Sequence, residues 1–220
     1  MFKGILLDID NTLYPYQALH ELAADKQLSY LSEISDRTTA EIKQAVASAK
    51  LIVKNTLSGT AASHSRLLYA QRTCELLSVD ALTHSLILEK VYWDHFLQAL
   101  VLPQDSKDFL NRYKHLPICL VTDLTAEIQH KKAACLELMN WANFIVTSEE
   151  AGCEKPHPFI FELALRKLNL QSDQVCMIGD NYQKDIIGAR QLGIHAYWLT
   201  ESAEQEDGVT TINSLGDIQW

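Results

Sequence analysis

Short runs of mainly apolar residues alternate with helical patterns through the second half of the chain. The runs have the length of strands, and we predict strands at 118–121, 144–147, 175–178, 195–199 and, at an edge, 209–212. Between two of these runs, Phe161, Leu165 and Leu168 recur at i, i+4 and i+7, as the buried face of a helix requires. With a first strand over 5–8, the alternation predicts an α/β protein whose mostly parallel sheet is covered on both faces.

The stretch from 16 to 100 has a different pattern. It contains one glycine, Gly59, and no proline, and it is dominated by Ala, Leu, Glu, Gln and Lys, which favour helices. Four or five helices are predicted there, with a turn near Gly59. We therefore expect a core domain made of 1–15 and 101–220, interrupted by an all-helical domain at 16–100. The acidic, polar stretch 201–208 is expected to be a surface loop.

Polar side chains follow three of the predicted strands at the point where each strand ends. They are Asp8 and Asp10 after the first strand, Thr122 and Asp123 after the second, and Asp180 and Asp185 after the strand at 175–178. Lys155, just before Pro156, lies between the last two groups. Because ligands of an open parallel α/β sheet bind at the carboxyl ends of the strands, we expect these side chains to share one site.

Asp8 and Asp10 are the most informative pair in the chain. Alternate residues of a strand point to the same face, so the two carboxylates are expected to lie together. Two carboxylates at the end of a buried strand are costly without a cation or a proton to compensate them. One of them can then hold a metal ion and attack a substrate, while the other transfers a proton.

Composition and charge limit the kinds of molecule that the protein is expected to bind. The chain has 220 residues, enough for one domain with an insert, and its net charge of −9 without a Lys/Arg cluster argues against a nucleic-acid polymer. An anionic substrate is still allowed, because a bound divalent cation reverses the local field. No apolar stretch approaches the ~18 residues of a membrane span, and the N-terminus does not resemble a signal peptide. Five cysteines without a C-x-x-C pair indicate reduced thiols and a cytoplasmic protein.

Taken in order, the motifs resemble those of the haloacid dehalogenase superfamily. They read Asp8-Ile9-Asp10-Asn11-Thr12, Val121-Thr122-Asp123, Cys153-Glu154-Lys155-Pro156, and Gly179-Asp180 with Asp185 a few residues later. A single motif of this kind is a weak signal, but four in the family's order are specific. With the helical insert after the first motif, the resemblance covers essentially the whole chain. It implies a three-layer Rossmann-like core and a helical C1 cap.

The resemblance also implies a role for the acidic residues. Asp8 is the expected nucleophile, which forms an aspartyl-phosphate, and Asp10 is the expected general acid and base. Mg²⁺ is the expected cofactor, with Asp8, Asp180 and the backbone carbonyl of Asp10 as ligands. Asp185 is expected to be a further ligand or to accept from a metal-bound water. Thr12 is expected to tie the loop that follows Asp10.

Phosphate binding is expected from Thr122, Asp123 and Lys155. Two positions in the motifs depart from the family. Asn11 stands where many members have glycine, and Asp123 stands where asparagine is more frequent. The negative charge of Asp123 would oppose a phosphate unless its carboxylate points away or only its backbone N–H binds.

The cap of such a protein is expected to exclude water and to select the leaving group. Its candidate substrate contacts are His64 and Arg66, since arginine suits a carboxylate or a second phosphate. The alternative is an exposed helix start whose side chains are solvated.

We therefore predict a Mg²⁺-dependent phosphatase that acts on a small phosphorylated metabolite, either as a monomer or as a homodimer, with no nucleic-acid or membrane partner. A phosphomutase would use the same residues but return the phosphoryl group to the product. A dehalogenase would use Asp8 on carbon without a metal, and Asp10, Asp180 and Asp185 argue against it. A non-catalytic binding or regulatory module is disfavoured because all four motifs are intact.

Overall fold

The structure, a computed structural model, describes residues 1–201 and 208–220. These residues form two compact units, of which one comprises Met1–Pro15 with Val101–Trp220 and the other Tyr16–Leu100. The surface loop expected over 201–208 lies almost entirely outside the described residues.

The first unit is built on a parallel sheet. Its strands are β1 (Gly4–Leu7), β2 (Ile118–Thr122), β3 (Phe144–Thr147), β4 (Val175–Gly179), β5 (His195–Leu199) and β6 (Thr210–Ile212). Their order is β3-β2-β1-β4-β5-β6, and every neighbouring pair is parallel. This is the strand order of a Rossmann-like sheet, so the predicted fold class is confirmed.

The three central strands have the sequence that their position requires. β1, β2 and β4 are buried along their whole length, which is why each reads as an unbroken apolar run. Leu7 pairs with Leu120 on one side and with Ile178 on the other, so the carboxyl ends of the three strands lie within two residues of one another. The backbone N–H of Asp8 donates to the carbonyl of Ile178 at 3.0 Å and extends the pairing by one residue.

The second unit is helical. Its helices are α1 (Tyr16–Ile34), α2 (Thr39–Thr56), a 3₁₀ turn (Ala61–His64), α3 (Arg66–Leu77) and α4 (Ala81–Ala99). Side-chain caps explain where three of the helices begin, because Thr38, Ser65 and Asp80 each accept a backbone N–H of the first turn. Gly59 has a φ of 79° in the turn after α2, a conformation that glycine adopts without strain.

Helices also cover the sheet of the first unit. They are α5 (Gln104–Tyr113), α6 (Ala126–Cys135), α7 (Ser148–Ala151), α8 (Pro158–Leu168), a π-helix (Tyr182–Ile187) and α9 (Gly188–Arg190). In α8 the side chains of Phe161, Ala164 and Leu168 are buried among sheet residues, while Leu165 packs only at the margin. None of the helices within the described residues combines the length and the apolar character needed to cross a bilayer.

Candidate active site

The order of the strands fixes where a site can form. The chain passes from β1 outward to β2 and β3, and then returns to place β4 on the other side of β1. In such a sheet, ligands bind at the carboxyl ends of the strands where the order reverses, here between β1 and β4. Asp8 follows β1 directly, Asp180 follows β4, and Thr122 is the last residue of β2. The fold therefore brings these three motifs to one crevice.

Asp8 is buried and held by two donors. Its Oδ1 accepts from the ammonium of Lys155 at 2.6 Å, and its Oδ2 accepts from the hydroxyl of Thr12 at 3.1 Å. Burial raises the pKa of Asp8 to about 7, although the nearby charge of Lys155 opposes the shift. The carboxylate is thus fixed in position but costly to ionise without a further cation.

Lys155 lies between two carboxylates. Besides Asp8, its Nζ contacts Oδ1 of Asp185 at 2.7 Å and donates to the backbone carbonyl of Val121 at 3.0 Å. Burial by itself would lower the pKa of Lys155, but the charges of Asp185 and Asp8 raise it above its ordinary value. The side chain therefore remains a cation at the centre of the site, where it can balance a phosphoryl group.

Three carboxylates form a group that suits a divalent cation. Asp8, Asp180 and Asp185 each offer an oxygen, and these oxygens lie within 4.8 Å of one another. Burial, together with the charge of Asp8, raises the pKa of Asp180 to about 6, and burial likewise raises the pKa of Asp185. A bound cation relieves such a cluster of buried acids, and Mg²⁺ prefers oxygen ligands. The residues present therefore fit the predicted cofactor.

The position of Asp185 explains the glycine of the last motif. A Cβ at Gly179 would lie 2.4 Å from Oδ2 of Asp185, so a larger residue there would displace the carboxylate. That oxygen also accepts from the backbone N–H of Asn181 at 3.0 Å. Asp185 sits on the π-helix, a rare conformation that often marks functional sites.

Asp10 points its carboxylate to α6. Both oxygens lie 2.7 Å from the ammonium of Lys132, one accepts from the side-chain amide of Gln129 at 3.2 Å, and the other contacts the hydroxyl of Tyr14. Burial alone would raise the pKa of Asp10, but the charge and hydrogen bonds of Lys132, with those of Tyr14 and Gln129, lower it. The structure therefore holds Asp10 as a carboxylate, the form that a general base needs, and its role as general acid and base stays a prediction.

Gln129 and Lys132 are site residues that the sequence analysis missed. Both are fully buried, and Gln129 also donates to the hydroxyl of Thr122 at 2.8 Å and to the carbonyl of Asp123 at 2.7 Å. One signal was available in the sequence. The two residues share a helical stripe with Leu136, where the 3.6-residue period predicts apolar side chains. A glutamine and a lysine in such a stripe indicate buried polar partners.

Asp123 has a partner for each of its carboxylate oxygens. Oδ1 accepts from the backbone N–H of Lys155 at 3.0 Å, and Oδ2 accepts from the ammonium of Lys184 at 2.6 Å. Lys184 also contacts Glu154 at 3.3 Å. Its cation offsets the charge that made Asp123 unexpected at this position, and a direct contact of Asp123 with phosphate stays a prediction.

The loop after β1 is shaped by two residues of the first motif. Asn11 has a φ of 62°, a left-handed conformation that asparagine tolerates better than most residues, so it can replace the family's glycine. The hydroxyl of Thr12 contacts Asp8 and, at 3.5 Å, Asp180, as a residue that ties the loop should. The indole of Trp198 donates to the carbonyl of Asp180 at 2.9 Å and supports it from β5.

The two candidate substrate contacts lie in the helical unit. His64 is the last residue of the 3₁₀ turn, and Arg66 is the first residue of α3. The side chain of Arg66 is directed into the helical unit, where its guanidinium donates to the hydroxyls of Tyr16 and Tyr92. The alternative of a fully solvated helix start therefore does not describe Arg66.

Comparison with known proteins places these features in a family. The haloacid dehalogenase-like hydrolases match residues 2–193. The chain is 33% identical over 213 residues to the ribulose-1,5-bisphosphate 5-phosphatase of Halopiger xanaduensis, covering 94% of this chain and 88% of that one. It is 25% identical over 229 residues to the glyceraldehyde 3-phosphate phosphatase of Methanocaldococcus jannaschii, covering 99% and 96%. A solved structure, the HAD-hydrolase YfnB from Bacillus subtilis bound to magnesium, has the same fold, with a TM-score of 0.74, 19% identity and coverage of 97% and 95%.

Proposed function

The chain belongs to the haloacid dehalogenase-like hydrolases, and we propose that within this family it is a Mg²⁺-dependent phosphatase of a small phosphorylated metabolite. The observation that carries the proposal is the buried nucleophile candidate Asp8, held at 2.6 Å by Lys155 with Asp180 and Asp185 beside it. A carboxylate in this setting can be ionised by one cation and directed at phosphorus by that cation and Lys155 together.

The first half of the reaction would form an ester on Asp8. When bound by Asp8, Asp180 and Asp185, Mg²⁺ supplies the positive charge that lets an anionic phosphate approach a carboxylate. Asp8 then attacks phosphorus, the bond to the leaving oxygen breaks, and Asp10 gives that oxygen a proton. Lys155 neutralises the phosphoryl group in the transition state.

Asp10 must change its protonation between the two halves. The negative charge of a bound phosphate raises the pKa of a neighbouring carboxyl group, so Asp10 would take up from the solvent the proton that it then gives to the leaving oxygen. In the second half, Asp10 is a carboxylate and removes a proton from the water that attacks phosphorus. Lys132, at 2.7 Å from both oxygens, stabilises that basic form.

Further parts of the proposal concern the domains, the substrate and the compartment. The unit with the parallel sheet is the catalytic core, and Tyr16–Leu100 is its C1 cap. The relatives named for ribulose 1,5-bisphosphate and glyceraldehyde 3-phosphate support a phosphorylated sugar as the substrate class. All five cysteines are free thiols, which supports the reducing cytoplasm as the compartment.

The test is phosphate release from a panel of phosphorylated sugars and sugar acids. We expect release that requires Mg²⁺, stops on addition of EDTA and is absent from Asp8→Asn. Chromatography of the products separates a phosphatase from a phosphomutase, which would yield an isomeric phosphate ester instead of free phosphate. Release that persists at the wild-type rate in EDTA or in Asp8→Asn would contradict the proposal.

A further inference from the structure

The helical unit encloses a cavity of about 310 Å³ between its four helices. Part of its lining is aliphatic, contributed by residues such as Leu31, Val46 and Ala70. Set among them are three cationic side chains, those of Lys43, Lys50 and Arg66. A cavity of this volume is at the lower end of the range of about 300–1,000 Å³ that small-molecule sites occupy.

Arg66 is the central polar group of the cavity. Its Nη2 donates to the hydroxyl of Tyr16 at 2.5 Å and to that of Tyr92 at 3.3 Å, and the guanidinium lies over the rings of Tyr69 and Tyr92. Its Nε is buried and has no acceptor within the part of the chain that the structure describes. Arginines that enter the interior of a protein are normally paired with an anion, but among the described residues the side-chain partners of this one are hydroxyl groups and aromatic faces.

The charges around the cavity are not balanced. Of the described residues that line it, three are cationic and one, Asp25, is acidic. Burial, followed by the charges of Arg66 and Lys50, lowers the pKa of His20 to about 4, so this histidine stays neutral. Burial and the charge of Arg66 also lower the pKa of Lys50. An anion in the cavity would relieve this repulsion and supply the missing acceptor for Nε.

We propose that the cavity is a binding site for a small organic anion. Arg66 and Lys50 bind its phosphate or carboxylate group, and the aliphatic lining accommodates a short carbon body. The tyrosines that surround the guanidinium hold its donors in place, so little conformational entropy is lost on binding.

The anion has two potential sources. It is either a second anionic group of the substrate, an assignment that rests on the proposed phosphatase activity, or a separate metabolite that regulates the enzyme. Both share the same chemistry at Arg66, so binding and its source are measured separately.

Binding is tested by calorimetric titration of the full-length protein in EDTA with phosphonoacetate, which carries a carboxylate and a non-hydrolysable phosphonate. We expect Arg66→Met to weaken binding by about tenfold or more, because one charged hydrogen-bonding partner is lost. Lys50→Met should weaken it in the same direction. Arg72→Met is the matched control, because Arg72 is on the same helix, is half-exposed and pairs with Glu75 at 2.8 Å.

Thermal melts of each variant establish that it is folded. If Arg66→Met is unstable, the affinity of Lys50→Met for phosphonoacetate decides the test. Wild-type affinity in both Arg66→Met and Lys50→Met, or no saturable binding by the wild type, would overturn the proposal. Equal weakening by Arg72→Met would also overturn it, since the effect would then be one of general charge.

Whether the bound anion is part of the substrate or a separate regulator is determined by steady-state kinetics with Mg²⁺ and p-nitrophenyl phosphate. A regulatory site predicts that phosphonoacetate changes kcat in the wild type and that Arg66→Met abolishes this response. A substrate site predicts that phosphonoacetate is a competitive inhibitor, which raises the apparent KM and leaves kcat unchanged. It also predicts that Arg66→Met raises KM for ribulose 1,5-bisphosphate more than for p-nitrophenyl phosphate. If the wild type hydrolyses no phosphate ester, the phosphatase proposal fails while the binding result stands.

Discussion

The ammonium of Lys132 lies 2.7 Å from both carboxylate oxygens of Asp10. The lysine side chain is fully buried, and α6 carries it into the crevice from a position far along the chain. A buried charge of this kind is strongly destabilising unless its partner is ionised. The pair therefore favours Asp10 as a carboxylate in the absence of substrate, and we expect it to influence the pH range of the reaction.

Replacement of Lys132 should change the pH dependence of catalysis. Lys132→Met removes the positive charge that lowers the pKa of Asp10, so this pKa should rise. The acidic limb of the profile of kcat against pH should then shift to higher pH by about one unit or more. The profile is measured with p-nitrophenyl phosphate. Lys131→Met is the control, because Lys131 is half-exposed and pairs with Glu127 at 2.6 Å. An acidic limb that does not move in Lys132→Met would show that Asp10 does not control it.

Asp10→Asn should separate the two halves of the reaction. An amide cannot remove a proton from water, so hydrolysis of the aspartyl-phosphate should slow by about 10²- to 10⁴-fold. With p-nitrophenol, a good leaving group, the first half should be less affected, and a burst of product should precede slow turnover. Stopped-flow absorbance measures both phases. A uniform loss without a burst would assign Asp10 to the first half alone.

Binding of Mg²⁺ should depend on pH in a defined direction. Without metal, the pKa of Asp8 is about 7 and that of Asp180 about 6, and both groups must be ionised to bind the cation. The apparent affinity for Mg²⁺ should therefore rise between about pH 5 and pH 7 and level off above it. Calorimetric titration at several pH values measures this. A constant affinity across the range would contradict the assignment of these carboxylates as ligands.

The same shifts predict how Mg²⁺ affects stability. A carboxyl group whose pKa is higher in the folded than in the unfolded protein stabilises the folded state at pH values below its unfolded-state pKa. This stabilisation is lost as the pH rises through its folded-state pKa. The metal-free protein should thus lose stability between about pH 4 and pH 7 from Asp8 and Asp180. Mg²⁺ should raise Tm more at about pH 8 than at about pH 5. Equal increments at both values would contradict this linkage.

Asp123→Asn tests whether the unusual acid contacts the phosphate. Its carboxylate accepts from Lys155 and Lys184, and asparagine can still accept one of these hydrogen bonds. If these structural contacts are its whole role, KM and kcat should change by less than about threefold, as expected when no buried charge is orphaned. Lys184 keeps Glu154 as a partner. A tenfold change in KM, in either direction, would place Asp123 at the substrate.

The fold could be predicted from the sequence because its central strands are buried on both faces. Such strands appear as unbroken apolar runs, and those around Leu7, Leu120 and Ile178 were each located within about one residue. The parallel sheet then brings their carboxyl ends together, which is why Asp8 and Asp180 could be expected to meet.

The environment of Asp10 could not be predicted in the same way. Its partners Lys132 and Gln129 come from a helix more than a hundred residues away in the chain, and no local rule relates them to the first motif. The pairing of Asp123 with Lys184 is of the same kind, because it joins the residue after β2 to a π-helix more than sixty residues later in the chain. Motifs predict which residues assemble, whereas tertiary contacts determine their protonation and orientation.

The most direct test of the account is detection of the phosphoryl group on Asp8. Asp10→Asn would be mixed with Mg²⁺ and p-nitrophenyl phosphate, quenched in acid within one turnover, digested and analysed by mass spectrometry. We predict that the peptide containing Asp8 gains one phosphoryl group and that Asp8→Asn with Asp10→Asn gains none. Turnover of the wild type on this substrate without any modification at Asp8 in the single variant would contradict the proposed mechanism.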